Sequence, residues 1–161
     1  MLATYAALGQ GQFAFNNRVL PDINARFVLD SDTGTISSVG TDGPYQVQLF
    51  SGSTPLDPAS TTFRGAAGSA AAGYVTPTTE TVAGVSPGGT ANITLTVTGP
   101  KITGGSQNFG PYPVVLGGGT ITPPNLALGT ANLVLKTVPE PTTLALGILG
   151  LGALLAIRRR K

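Results

Sequence analysis

The chain has 161 residues, with 23 glycines and 13 prolines but no cysteine, histidine or tryptophan. Without cysteine the chain forms no disulfide and performs no thiol catalysis, and without histidine it lacks the commonest general base and the usual zinc ligand. The formal net charge is +2, but four of the nine cations are residues 158–161. Five basic and seven acidic residues precede them, so the rest of the chain carries a formal charge of −2 and offers no basic patch for nucleic acid.

The first nine residues end in the triplet Ala7-Leu8-Gly9, which has the small-x-small form of a signal-peptide cleavage site. They lack the basic start and the full apolar core of a signal peptide. We interpret residues 1–9 as the end of a signal peptide that begins upstream of Met1, and we expect the mature chain to begin near Gln10. The alternative interpretation is a first β-strand.

Residues 10–137 have the pattern of an all-β domain, because short alternating stretches are separated by clusters of Gly, Pro, Asn and Asp. Low charge and abundant Thr and Gly also favour strands over helices. The predicted strands lie at residues 13–15, 25–29, 45–49, 74–75, 78–82, 92–98, 114–116 and 132–136. In the clearest of them Ile93, Leu95 and Val97 are predicted to face the core, with the intervening threonines on the other face. About seven to nine short strands predict an antiparallel β-sandwich.

Two short acidic patterns are candidates for chemistry. Asp32-Thr33-Gly34 matches the triplet of aspartic proteases, in which two carboxylates share a proton and activate water. A single copy would need a symmetric dimer, and the same triplet is an ordinary turn. Asp30, Asp32 and Asp42 could also form a loose calcium site, although the spacing departs from that of an EF-hand loop.

Arg64 is one of few cations and follows an aromatic residue, so it is a candidate for binding or for an ion pair with an aspartate across two strands. Tyr45, Tyr74 and Tyr112 could stack on sugars, but strand tyrosines usually pack within the fold. The small-residue segment 65–73 is not a phosphate-binding loop, because no lysine and no following helix support it. We therefore expect no cofactor and no metal.

The last 24 residues have three parts in a fixed order. They are Val138-Pro139-Glu140-Pro141, an uncharged stretch at residues 144–157, and four consecutive cations, Arg158, Arg159, Arg160 and Lys161. As a helix the uncharged stretch is about 21 Å long, or about 25 Å from Pro141, against about 30 Å for a bilayer core. We predict a marginal membrane helix over about residues 141–157, with a cytoplasmic C-terminus by the positive-inside rule. The alternative is a buried helix of the domain.

This tail resembles the PEP-CTERM sorting signal of Gram-negative bacteria. In that family exosortase, an integral-membrane protease, recognises the three-part tail and cleaves near the Pro-Glu-Pro motif. The resemblance implies that Pro139, Glu140 and Pro141 form the recognition motif, and that residues 158–161 are the cytoplasmic anchor. It also implies a short stay in the inner membrane before delivery to the cell surface or extracellular matrix.

Several segments of the domain also resemble stretches that recur among PEP-CTERM proteins. They are residues 15–19, residues 62–66 with 72–75, and residues 116–119 with 123–126. The resemblance implies a family and no activity.

Residues 1–9, 10–137 and 138–161 are therefore expected to be a signal remnant, a β-sandwich ectodomain and a sorting tail. We expect a non-enzymatic structural or binding module, with exosortase, the inner membrane and an extracellular polysaccharide as candidate partners and no nucleic acid. The alternatives are a surface hydrolase that uses carboxylates and a calcium-dependent adhesin.

Overall fold

The computed structural model describes residues 9–30, 36–40, 45–56 and 60–138. In these residues the regular secondary structure is almost entirely β, with a single 3₁₀ turn at Thr103–Gly105, so the predicted all-β class is confirmed. The strands are β1 (Gly11–Phe15), β2 (Arg18–Val19), β3 (Ile23–Asn24), β4 (Phe27–Asp30), β5 (Ile36–Ser38), β6 (Gln46–Ser51), β7 (Thr54–Pro55), β8 (Thr61–Thr62), β9 (Thr78–Val82), β10 (Thr90–Thr98), β11 (Ser106–Val115) and β12 (Leu133–Lys136).

The strands form two larger sheets and two small ones. The first has the order β11-β10-β6-β7, with β8 also paired to β6, and the second has the order β12-β4-β5. Strand β1 pairs with β9, and β2 pairs with β3. Every one of these pairs is antiparallel except β4 with β12, which is parallel and aligns Leu133 with Phe27. The prediction of an antiparallel β-sandwich is therefore wrong at this pair, where residues 31–132 supply the long crossover that a parallel pair needs.

The central strand β10 confirms the register predicted from its alternation. Ile93, Leu95 and Val97 are fully buried, while Thr94 and Thr96 on the opposite face are partly exposed. Strand β10 has partners on both sides, Leu49 of β6 and Phe109 of β11 lying opposite Leu95. Period-two alternation marks a strand with one buried face, and the structure places that face inward.

One core receives side chains from both larger sheets and from the β1–β9 pair. Phe13, Phe27, Val47, Leu95 and Leu135 all belong to the same buried cluster. Phe27 makes edge-to-face contacts with Phe63 and Phe109, at centroid distances of 5.4 and 5.8 Å. The described strands thus share a single hydrophobic core.

Strand β11 extends well before the predicted segment at residues 114–116. The sequence Gly110-Pro111-Tyr112-Pro113 lies inside this ten-residue strand, although glycine and proline predict a break. Strand β11 is at the edge of its sheet and has a neighbouring strand, β10, on one side only. Prolines are tolerated in such an edge strand, because no strand on the open side needs a hydrogen bond from their missing N–H groups. The ladder with β10 shifts register between Ile93 and Leu95, opposite this sequence, which accommodates the irregular strand.

Several predictions concern residues outside the described part of the chain. These are residues 1–8 of the signal remnant predicted at 1–9, the Asp32-Thr33-Gly34 triplet, Asp42, the motif at residues 139–141, the membrane helix and the cations at 158–161. All of them stay predictions. In the described residues no helix has the length and hydrophobicity needed to cross a membrane.

Candidate functional site

A fully buried asparagine, Asn17, joins three separate segments of the chain. Its Nδ2 atom donates to the carbonyl oxygens of Ala25 and Gly73, at 2.8 and 2.9 Å. Its Oδ1 atom accepts a hydrogen bond of 2.9 Å from the backbone N–H of Val75. Both polar atoms of the amide are therefore used, and they connect residues 15–19 with residues 72–75, two of the segments noted in the sequence.

Tyr74 lies beside this junction and is covered by two arginines. Its side chain is 7% exposed, and its hydroxyl donates to Asn24 Oδ1 at 2.6 Å. The Cζ atoms of Arg18 and Arg26 lie 4.9 and 5.2 Å from the ring centroid, within the range of a cation–π contact. Tyr74 therefore packs within the fold, and its ring is not free to stack on a sugar.

Arg64 is directly opposite Tyr74 in a short ladder. Its backbone N–H donates to the carbonyl of Tyr74 at 2.7 Å, next to the bridge between Phe63 and Val75. Asp32, Asp42 and Asp57 lie outside the described residues, so an inter-strand ion pair of Arg64 with an aspartate stays a prediction. The guanidinium groups of Arg18 and Arg26 and the backbone of Arg64 thus meet Tyr74, and we call these three residues the arginine cluster.

Sequence reasoning singled out only part of this cluster. Arg64 and Tyr74 were candidate binding residues, and Arg18 lies in a segment that resembles stretches of PEP-CTERM proteins. No pattern in the neighbouring sequence marked Arg26 as a candidate. Only the pairing of residues 26–27 with Gly73 brings Arg26 to the tyrosine.

Of the other two candidate tyrosines, Tyr45 directly precedes β6 and Tyr112 lies in β11 of the same sheet. The ring of Tyr45 packs on Gly99, where a Cβ atom would lie only 2.0 Å from Tyr45 Cδ1. Burial raises the pKa of Tyr45, and the nearby backbone of Lys101 opposes this with a smaller effect, although the Tyr45 hydroxyl makes no hydrogen bond of normal geometry. Burial alone raises the pKa of Tyr112. Both rings contribute to packing against the core.

An open cavity of about 480 Å³ lies between the β6–β7 hairpin and the end of β9. Its walls come from residues 51 and 54–56, from Gln10 and from residues 81–83. Among the described residues that line it, none is ionisable. The cavity therefore brings together no pair of carboxylates that could activate water.

The carboxylates in the described ranges are spread over the fold. Asp22 is exposed in the β2–β3 turn, Asp30 is exposed at the end of β4, and Glu80 is buried in β9 opposite Phe13. No three potential metal ligands meet among the described residues. Because Asp32 and Asp42 lie outside those residues, the protease and calcium hypotheses stay predictions.

The folded domain continues up to the residue before Pro139. Thr137 bridges to Ile102, and both its N–H and its hydroxyl donate to the carbonyl of Asp30. The N–H of Val138 donates to the carbonyl of Lys101 at 3.0 Å. Residues 137 and 138 are thus hydrogen-bonded to the domain, and no linker separates it from the predicted motif.

Comparison with known families gives one match. Residues 137–161 match the family model described as the PEP-CTERM protein-sorting motif. No curated protein and no solved structure matches the chain.

Proposed function

Because the chain carries a PEP-CTERM protein-sorting motif, which implies export and a place at the cell surface or outside the cell, we propose that exosortase processes its tail. We propose further that residues 10–137 act at that location as a non-enzymatic structural or binding module. The match of residues 137–161 to the motif is the observation that carries this proposal.

The chemistry of the tail supports the proposed sorting mechanism. Pro139 and Pro141 fix φ and disfavour a helical conformation at the residues before them, so the motif stays extended as a protease substrate must. Glu140 supplies the only charge within the motif for recognition. The helix over about residues 141–157 is barely long enough to span a bilayer, which suits a temporary anchor in the inner membrane. The cations at 158–161 hold its end in the cytoplasm.

The end of the folded domain adds a geometric constraint to this proposal. Val138 is hydrogen-bonded to Lys101, and an extended chain advances at most about 3.6 Å per residue. The chain length therefore limits the distance between the Cα atoms of Val138 and Glu140 to about 7 Å. Exosortase would bind the motif directly against the domain, near Asp30 and Lys101.

We also propose that the ectodomain is a β-sandwich with the β11-β10-β6-β7 and β12-β4-β5 sheets as its two layers. Residues of both sheets belong to one buried cluster, Val47 and Leu95 from the first and Phe27 and Leu135 from the second. Gln107 supports this arrangement at the rim, because its side chain donates to the carbonyl of Val134 and accepts from the N–H of Lys136, both at 2.8 Å. A sandwich of this kind suits a structural or binding role, because its faces and end loops are available to partners.

The sorting proposal is tested by changing the tail in the producing cell. We expect Glu140→Ala, or serine at Arg158, Arg159 and Arg160 together, to leave uncleaved precursor in the membrane fraction. Asp22→Ala is the matched control, because it removes an exposed carboxylate far along the chain from the motif. Immunoblots of membrane and secreted fractions measure the outcome. If both tail variants are processed and released like the wild type, the tail is a plain anchor or part of the fold, and the proposal fails.

A further inference from the structure

The last strand of the domain, β12, has an edge that no strand covers. Within the described part of the chain, β12 has a strand partner on one side only, β4. The backbone N–H of Leu133 donates toward that side, to the carbonyl of Arg26. Because successive residues of a strand turn their backbone N–H and C=O groups to opposite sides, Val134 and Lys136 direct theirs away from β4.

The side chain of Gln107, in β11, occupies this outer edge. Its amide nitrogen donates to the carbonyl of Val134, and its amide oxygen accepts from the N–H of Lys136, both at 2.8 Å. A residue of a parallel neighbouring strand makes the same two bonds, to the residues before and after the one that it faces. The amide of Gln107 thus stands where a strand residue opposite Leu135 would stand.

The connection between β10 and β11 covers the next outward group of the chain. The N–H of Val138 donates to the carbonyl of Lys101 at 3.0 Å. The outward N–H groups of Lys136 and Val138 therefore both have partners. Only the contact of Gln107 is made by a side chain, so a single substitution removes it and leaves the backbone in place.

The edge strand of the other sheet, β11, is protected in a different way. The N–H of Leu116 donates to the carbonyl of Gly89, so by alternation the N–H of Tyr112 also faces β10 and Pro113 faces outward. A proline has no N–H to donate, so β11 offers no donor to a new strand at this position. Strand β12 contains no proline, and the cover of its edge depends on Gln107.

We propose that Gln107 guards the edge of β12 against pairing with a second copy of the chain. An uncovered edge strand presents unpaired N–H and C=O groups and is a ready template for another strand. The second copy fits because the edge is complementary to itself. In an antiparallel β12–β12 pair centred on Leu135, Val134 of each chain lies opposite Lys136 of the other, and these residues exchange bonds in place of those that Gln107 makes. This inference goes beyond the proposed function and is independent of sorting, because no residue of the tail takes part in it.

The first experiment compares the association state of the purified full chain with that of Gln107→Ala, in the same detergent and at the same ratio of protein to detergent. Sedimentation velocity over a series of protein concentrations measures it. We expect Gln107→Ala to form dimers at a lower concentration than the wild type, because its β12 edge is uncovered. Asn108→Ala is the matched control, since it removes one side-chain hydrogen bond, with Thr96, from the same strand and leaves β12 covered.

Hydrogen exchange at the N–H of Lys136 reports on the edge itself. In the wild type this group is hydrogen-bonded to Gln107. In dilute Gln107→Ala it should exchange about fivefold faster, the factor that corresponds to one lost hydrogen bond. Protection should return as the protein concentration is raised and dimers form. The N–H of Leu135, which faces β4, should keep its rate and so show that the strand remains folded.

Substitutions at the exposed Val134 test the strand pair directly. Added to Gln107→Ala, Val134→Lys places a like charge opposite Lys136 of the second copy, which destabilises a strand pair. Val134→Glu places an opposite charge there, which stabilises it. We expect the lysine variant to return to the association state of the wild type and the glutamate variant to remain dimeric.

Three results would overturn the proposal. The first is a Gln107→Ala chain that associates no more than the wild type, which would mean that the edge needs no guard. The second is equal association of Gln107→Ala and Asn108→Ala, which would indicate general destabilisation. The third is equal association of the two variants at Val134, which would mean that another part of the surface forms the contact.

Discussion

Removal of the buried amide of Asn17 is the most direct test of how the domain is held together. Asn17→Ala deletes three hydrogen bonds of 2.8 to 2.9 Å in the interior. It leaves the carbonyl of Ala25 and the N–H of Val75 without these partners, whereas the carbonyl of Gly73 still accepts from Phe27 N–H. The lost bond to Gly73 costs about 1 kcal/mol net, and the two buried groups left unpaired cost about 1–3 kcal/mol each. We therefore expect a loss of about 3–7 kcal/mol in the free energy of unfolding.

A loss of this size is a large part of the total stability of a typical domain, which is about 5–15 kcal/mol. It should move the urea midpoint by about 2 M, with a slope of about 1–3 kcal/mol per M. The assay is urea unfolding of the full chain in detergent, followed by far-UV circular dichroism because the protein has no tryptophan. Asn17→Asp should also destabilise the fold, because a carboxylate can accept from Val75 but cannot donate to the two carbonyls.

The neighbouring Asn16 provides the matched control. Its Oδ1 atom accepts a single hydrogen bond, 3.1 Å from Arg18 N, at the exposed surface. Asn16→Ala should therefore cost less than about 1 kcal/mol. If Asn17→Ala and Asn16→Ala have the same midpoint, or if Asn17→Ala unfolds within about 1 kcal/mol of the wild type, Asn17 does not hold the three segments together.

Three further predictions concern the core, the tyrosines and the start of the mature chain. Leu95→Asp places an unpaired charge in the core and should cost more than about 3 kcal/mol in urea unfolding, whereas Thr96→Ala on the other face should cost about 1 kcal/mol or less; equal costs would contradict the register of β10. Burial raises the pKa values of Tyr45 and Tyr112 above that of free tyrosine, which is about 10. The free energy of unfolding should therefore be unaffected by these two groups below pH about 10, and it should fall as the pH rises from there through the raised values. Absorbance titration near 295 nm should show tyrosines that ionise above free tyrosine, and Tyr45→Phe and Tyr112→Phe should each remove one late step; a single titration at the free value would show that neither is perturbed. N-terminal sequencing of the secreted form should find a mature chain that begins near Gln10, and a secreted chain that retains Met1 would refute the signal-peptide interpretation.

The local sequence determined those features that depend on neighbouring residues. Alternation in residues 92–98 predicted which side chains of β10 are buried, because a strand turns successive side chains to opposite faces. The order of motif, apolar stretch and cations identified the sorting tail, since a membrane and a protease recognise such a segment in sequence order. Phe13 and Phe15, which alternate in the predicted strand at residues 13–15, are both fully buried in β1.

Only the tertiary structure decided the features that depend on distant residues. The parallel pairing of β12 with β4 joins strands about a hundred residues apart, and no local pattern distinguishes a parallel from an antiparallel partner. The prolines of β11 are compatible with a strand only because that strand lies at an edge, which is a property of the whole sheet. Asn17 meets Gly73 across 56 residues, and Arg26 reaches the 64–74 loop across more than 40. A polar side chain has no periodicity that reveals its partner, so the buried amide and the gathered arginines became visible only when the chain had been folded around them.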